Sequence, residues 1–216
     1  ASKDIMGISI GKISTVEDVN TIDQMLATAE KNAGIPIGQI TMLPWIETAQ
    51  GVINAYEICT ASNRIRWAAF GAEDFSADMS ISRTVDNREP VSGIGAEPGL
   101  AYPRSAVAVA ARAAGVHALD TPYTRFRDPD GLKQEASLAK AIGYKGKLSI
   151  HPAQVETIES IFKPSSSEIE RARRVLDIAS EAETAGRGSA SLDGEMIDMP
   201  VILRARNVLR DAGLQN

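Results

Sequence analysis

One cysteine, Cys59, and two histidines are the only thiol and imidazole groups among the 216 residues. A lone cysteine excludes an internal disulfide, and without a Cys/His cluster a structural zinc site lacks its ligands. Cys59 lies in the apolar-periodic stretch VINAYEICTA and reads as a small core residue. No apolar run approaches the roughly 20 residues that a membrane-spanning helix needs. The opening residues, ASKDIMG, lack the charged-then-apolar pattern of a signal peptide. Basic residues are outnumbered, 23 Lys and Arg against 28 Asp and Glu, for a net charge of -5. That leaves no basic footprint for nucleic acid. No glycine fingerprint of the G-x-G-x-x-G or P-loop type is found. Internal repeats are absent too, and low complexity is limited to SSS and GRGSAS. The expected setting is a cytoplasmic enzyme with neither a nucleic-acid nor a membrane partner.

What is present is an ordinary globular composition, 44% hydrophobic and 24% charged, on a chain long enough for a sizeable core. Strand-like and helix-like stretches alternate. ISIGKI (8–13) reads as a short strand. Thr15 then opens a helix, with Asp18 as its capping-box partner. Val19, Ile22, Leu26 and Ala29 recur at helical spacing until Gly34. Residues 37–46 form the next strand, 48–60 a helix and 65–71 a third strand. Residues 76–101, with Gly93, Gly95, Pro98 and Gly99, read as a long loop of functional length. A helix at 104–114 precedes a fourth strand, VHALD (116–120). A helix at 132–142 precedes a fifth, KLSIH (147–151). Ser165 and Glu168 form a second capping box, for a helix with Ile169, Ala172, Leu176 and Ala179 inward. AGRGSAS then loosens the chain before LDGEMIDMP and a last helix at about 201–212. The expected domains are therefore 1–163 and a C-terminal segment, 164–216.

Alternating strands and helices predict an α/β fold with a parallel sheet. Strands apolar on both faces suit a barrel or a doubly wound sheet. Only five strands are counted, and a closed (β/α) barrel has eight. The reading preferred here is a barrel whose first three βα units are absent from this chain.

In such a barrel the reaction site lies at the C-terminal strand ends. "PWIETAQG" delivers Glu47 there, and "RIRWAAFGAED" delivers Glu73 and Asp74. Neighbouring strands are about 4.8 Å apart, so Glu47 and Asp74 can share one ion. Mg²⁺ takes one or two carboxylates and keeps positions for water and substrate oxygens. Each acid also has a plain reading, Glu47 as a partner for the next helix's dipole and Asp74 as a turn residue. Asp120 reads either as the holder of a water or lysine or as a loop anchor. His151 reads as an acid/base group or as a partner for a backbone group. His117, at a strand start, is set aside. Lys12 reads as the neutraliser of an anion or as a solvated lysine. Arg104 reads as a contact to phosphate or carboxylate or as an ordinary helix-start arginine. Lys145 and Lys147 read as surface residues. Asp193, Glu195 and Asp198 read as lid acids or as solvated acids on a surface hairpin, the latter favoured by pattern alone.

IETAQGVINAYEI, FGAEDFSADM, YPRSAVAVAARAAGVHALDTPY, GYKGKLSIHPAQV and DGEMIDMP occur in this order. Together they resemble the HpcH/HpaI aldolase/citrate lyase family, which includes citrate lyase β subunits and malyl-, citramalyl- and citryl-CoA lyases. The resemblance runs from about Ile8 to about Ala212. It implies a (β/α)8 TIM barrel of the phosphoenolpyruvate/pyruvate type, usually a homotrimer or a multiple of one. It implies Mg²⁺ on Glu47 and Asp74, with no role assigned to Glu73. It further implies that the MIDMP segment brings an acid to a neighbour's site, Asp198 matching best and Asp193 second. The chain departs from the family pattern in lacking an N-terminal part with a substrate-binding arginine. Gly11-Lys12 also stands where Pro-Lys is usual.

The implied activity is Mg²⁺-dependent cleavage of a 3-hydroxyacyl-CoA to a 2-oxo acid and an acyl thioester. Asp198 would handle the proton at the thioester's α-carbon, with Lys12 and Arg104 binding substrate. The alternatives are a metal-dependent aldolase on free 2-oxo acids, without CoA, and a non-catalytic relative or fragment.

Overall fold

The computed structural model describes residues 2, 4–81, 98–184 and 190–214. It divides into two compact units, 1–158 and 159–216. In the first, parallel strands β1 (Gly7–Ile10), β2 (Thr41–Ile46), β3 (Trp67–Phe70), β4 (His117–Asp120) and β5 (Gly146–Lys147) form one sheet in sequential order. Between them run α1 (Val16–Ala33), α2 (Ala49–Ile53), α3 (Ala55–Thr60), α4 (Ala72–Asp78), α5 (Pro98–Ala113) and α6 (Pro129–Ile142). A 3-10 turn (Pro152–Gln154) leads into α7 (Val155–Phe162). The parallel α/β sheet expected from the alternation is what forms.

One sheet face is buried, and the other is more open, although Ala69 on it is buried as well. Met42, Pro44, Ile46, Ala68, Phe70, Ala118 and Asp120 are buried. Helix α5 packs on β3 and β4, and α6 on β5. The alternate positions Ser9, Trp45, Trp67 and His117 are half-buried or exposed. There Trp67 and His117 are register neighbours with ring centroids 4.7 Å apart, and the Trp45 indole N–H donates to Ser9 Oγ at 2.6 Å. A strand shows successive side chains to opposite faces, so this alternation records which side the helices cover.

Local chemistry explains most boundaries. Thr15 and Asp18 form the expected capping box on α1, and Gly34 ends it in the left-handed conformation. The predicted 48–60 helix is two, broken at Asn54, whose amide donates to Ser14 O at 2.9 Å. The predicted 76–101 loop is corrected in part. Residues 72–78 are helical, and α5 begins at Pro98, before Arg104, with Pro103 inside it. Gly93 and Gly95 lie outside the described residues. The fifth strand is shorter than KLSIH: it ends at Lys147 because Ser149, Ile150 and His151 enter a turn around the Gln154 side chain. Cys59 is buried, and burial pushes its thiol up to about 12.

A buried ion cluster ties α1 to the chain before β3. Arg64 donates to Glu30 at 2.7 and 2.8 Å, to Asp23 at 2.6 Å and to the Ile40 carbonyl at 2.9 Å. Glu30 also accepts from the backbone of Gly38 and Ile40.

In the second unit, α8 (Ser166–Thr184) and α9 (Met199–Asp211) pack together with a hairpin, β6 (Ala190–Leu192) and β7 (Glu195–Ile197). Its core is Ala172, Val175, Leu192, Ile197, Ala205 and Leu209. The Ser165–Glu168 capping box forms as expected. Asp193 and Gly194 both take positive φ, 52° and 85°, as a tight hairpin with an Asp-Gly turn requires. The expected Gly/Ser joint falls mostly on 185–189, outside the described residues. Among the described residues no helix is long and apolar enough to cross a membrane.

Candidate active site

Three strand ends converge on Glu47. This residue directly follows β2 and is 5% exposed. Its Oε1 accepts the Lys12 backbone N–H at 2.7 Å from the loop after β1. Lys12 holds a left-handed backbone, φ 58°, to aim that N–H. For a side chain other than glycine this conformation costs on the order of 1 kcal/mol. The Lys12 ammonium reaches Asp74 Oδ1 at 3.4 Å, with both groups largely in water. Asp74 is in the first turn of α4, after β3. Burial, then the nearby Asp74 charge, raises the Glu47 carboxyl above the usual range, against the Lys12 N–H and ammonium.

Glycines make room for this carboxylate. A Cβ on Gly71 would lie 2.3 Å from Glu47 Oε2, 2.6 Å from Glu47 Cβ and 3.2 Å from Trp45 Cε3. A Cβ on Gly11 would lie 3.0 Å from Glu47 Oε1. The surrounding loops are pinned. Ser14 and Thr48 share a 2.7 Å hydroxyl hydrogen bond, Thr48 caps α2, and the Ala49 N–H donates to Asp78 at the far end of α4.

The donor set fits a hard dication. Lys12 touches two carboxylates, the buried Glu47 through its N–H and Asp74 through its ammonium, and the Asp74 charge raises the Glu47 carboxyl, which a divalent cation would relieve. Among the described residues no group of three or more His, Cys, Asp or Glu is placed to hold a metal. Two acids with open positions suit Mg²⁺, which retains waters and binds substrate oxygens. Glu47 and Asp74 are the residues that would hold it.

The other expected site residues lie elsewhere. Arg104 is buried, donating to Asp120 at 2.9 and 3.3 Å and to Glu135 at 3.0 Å. Lys147, read from the sequence as a surface residue, is corrected. Its side chain is fully buried, and its ammonium donates to Asp120 at 2.7 Å, to Glu135 and to the Thr121 carbonyl at 2.8 Å. Lys145 is exposed. Asp120 thus holds Lys147 and Arg104, in a buried four-residue cluster with Glu135 that ties β4 to α5 and α6. His151 is exposed, accepts the Ala153 N–H through Nδ1 at 3.1 Å and stacks on Phe126. Asp198, in the second unit, caps α9 by accepting the Val201 N–H at 3.1 Å. Asp193 pairs with Arg174, and Glu195 with Arg171. Thr121 was missed: it follows the VHALD motif, and nothing local marks it as a partner for α4.

The family model described as HpcH/HpaI aldolase/citrate lyase matches residues 1–152. The chain belongs to that family. It is 36% identical over 203 residues to citrate lyase subunit beta of Leuconostoc mesenteroides subsp. cremoris, covering 94% of this chain and 64% of that protein. It is 30% identical over 178 residues to mitochondrial citramalyl-CoA lyase of Rattus norvegicus, covering 79% of this chain and 50% of that one. The chain thus spans half to about two thirds of these relatives. Protein CitE from Mycobacterium tuberculosis, in complex with magnesium, acetoacetate and coenzyme A, superposes with a TM-score of 0.67 at 27% identity. That match covers 95% of this chain and 77% of the other.

Proposed function

We propose that this family member is a Mg²⁺-dependent carbon–carbon lyase that cleaves a 3-hydroxyacyl-CoA to a 2-oxo acid and an acyl thioester. The observation that carries the proposal is the Glu47–Asp74 pair, one acid buried against glycines after β2 and the other in the first turn of α4 after β3, with Lys12 touching both. Relatives named for lyase chemistry, and a structural neighbour holding magnesium and coenzyme A, support the same reading.

The sheet is read as five strands of a (β/α)8 barrel of the phosphoenolpyruvate/pyruvate type. Its strict sequential order supports winding in one direction, whereas a doubly wound sheet reverses order at a switch point. The one-sided helix cover supports it too, since a barrel wall faces helices outside and its own side chains inside.

Bound between Glu47 and Asp74, Mg²⁺ would supply Lewis-acid polarisation of the oxygen that becomes the carbonyl. Lys12 neutralises an anionic oxygen of the substrate beside Asp74. The hydroxyl proton leaves to a base, the carbon–carbon bond breaks, and its electron pair passes to the thioester enolate. Asp198, delivered by a neighbouring copy in a homotrimer, protonates that carbon. Arg104 contributes to CoA placement indirectly, by anchoring α5 to Asp120 and Glu135 through its buried guanidinium. The protein acts in the cytoplasm.

The test follows 2-oxo acid release by the full-length protein from malyl-, citramalyl- and citryl-CoA, with Mg²⁺ and with EDTA. Release from one thioester, abolished by EDTA, is expected. Release only from free acids would favour the aldolase reading, and no release from any substrate a non-catalytic role.

A further inference from the structure

Helix α4 carries Asp74, yet it starts without a side-chain cap of its own. The capping position is Gly71, and the Glu47 carboxylate leaves no space there for a Cβ, at 2.3 Å. Serine, threonine, asparagine and aspartate, the residues that cap helices well, are therefore all excluded at 71. The first N–H of α4, on Ala72, is one that a capping side chain at 71 would not serve, and in its buried setting it needs an acceptor of its own. It finds Thr121 Oγ1 at 3.1 Å, 49 residues away and just past the end of β4.

Thr121 is itself fixed. It is 1% exposed, and its carbonyl accepts the buried Lys147 ammonium at 2.8 Å. Lys147 in turn binds Asp120 and Glu135, and Arg104 binds the same two carboxylates. The cluster has two cations and two anions, which satisfy each other away from water. A continuous run of hydrogen bonds thus connects this ion quartet, through Thr121, to the first turn of α4.

We propose that Thr121 is a positioning residue: it holds the first N–H of α4 from the neighbouring strand end and so sets Asp74 at the distance from Glu47 that a divalent cation requires. The proposal rests on the metal reading of Glu47 and Asp74. It assigns a task to the quartet that stability alone does not require, namely to hold rigid the strand end from which that hydrogen bond is delivered. Gly71 admits Glu47 at the start of α4, and Thr121 fixes the first N–H of the same helix.

The experiment measures Mn²⁺ binding by electron paramagnetic resonance in the full-length protein, unaltered and as Thr121→Val and Thr121→Ser. Losing one buried hydrogen bond should weaken binding by about fivefold in Thr121→Val. Thr121→Ser, which keeps the hydroxyl, should stay within about twofold of the unaltered protein, because the same bond is retained. A merely structural threonine would lower Tm without changing Mn²⁺ affinity well below Tm. Unchanged affinity in a folded Thr121→Val protein would overturn the positioning role and leave the metal site standing. An unaltered protein that binds no Mn²⁺ would overturn the metal reading and this role with it. Should Thr121→Val fail to fold, amide exchange in the unaltered protein decides: the Ala72 N–H should exchange slowly, and exchange as fast as an exposed amide would overturn the positioning role.

Discussion

At the scale of single residues, the site depends as much on missing atoms as on present ones. Glu47 is the reactive-looking group, but Gly71 and Gly11 decide where it can lie. Adding a methyl group at Gly71 leaves Glu47 two options, to move or to push α4 away. Overpacking of this kind costs about 1–3 kcal/mol. Gly71→Ala is therefore expected to weaken divalent-cation binding by about tenfold or more. Calorimetric titration of the variant with Mg²⁺ checks this. The place of Glu47 was legible in the sequence, since it ends an apolar strand, whereas Asp74 lies past the end of β3, in the first turn of α4. The burial of Lys147 was not. Local pattern put it beside Gly146 and an exposed Lys145, and only the arrival of Glu135 from α6 and Asp120 from β4 makes a buried ammonium tolerable. Thr121 was illegible for the same reason, because its partner is 49 residues distant.

At the scale of elements, the signals that proved readable were those confined to a few neighbouring residues. Thr15 with Asp18 and Ser165 with Glu168 announce helix starts, and Gly34 and Gly143 announce ends. Strand and helix extents depend on tertiary partners, so KLSIH shortened at the Gln154 turn and α5 extended back through Pro103. Helix α1 depends on such a partner through Glu30. Hydrogen bonds from Arg64, and from the N–H groups of Ile40 and Gly38, hold the Glu30 carboxyl down at about 2 against the cost of its burial. Its ordinary value is 4.5. A depressed carboxyl stabilises the fold above the unfolded-state value and loses that contribution as pH falls through the folded one. The chain should therefore lose thermal stability between pH 4.5 and about 2 in part through Glu30. Glu30→Gln should lower Tm at neutral pH and flatten that acid limb. Tm measured across the range tests both, and an unchanged limb would remove Glu30 from the account.

At the scale of the whole molecule, the two units are different kinds of structure. The first is a parallel sheet with its acids at one end. The second is a helix pair with a short hairpin, whose Asp198 is engaged as a helix cap. Family membership and the parallel α/β architecture could be read from ordered motifs and from alternation. The barrel, the trimer and the role of Asp198 are proposals because they concern surroundings beyond these two units. The proposed chemistry depends on one claim, that Glu47 and Asp74 form a divalent-cation site. Its most direct test is calorimetric titration of Mg²⁺ into the metal-stripped full-length protein, unaltered and as Glu47→Gln. The account predicts saturable binding in the unaltered protein and none in the variant. Equal Mg²⁺ affinity in the two proteins would contradict it.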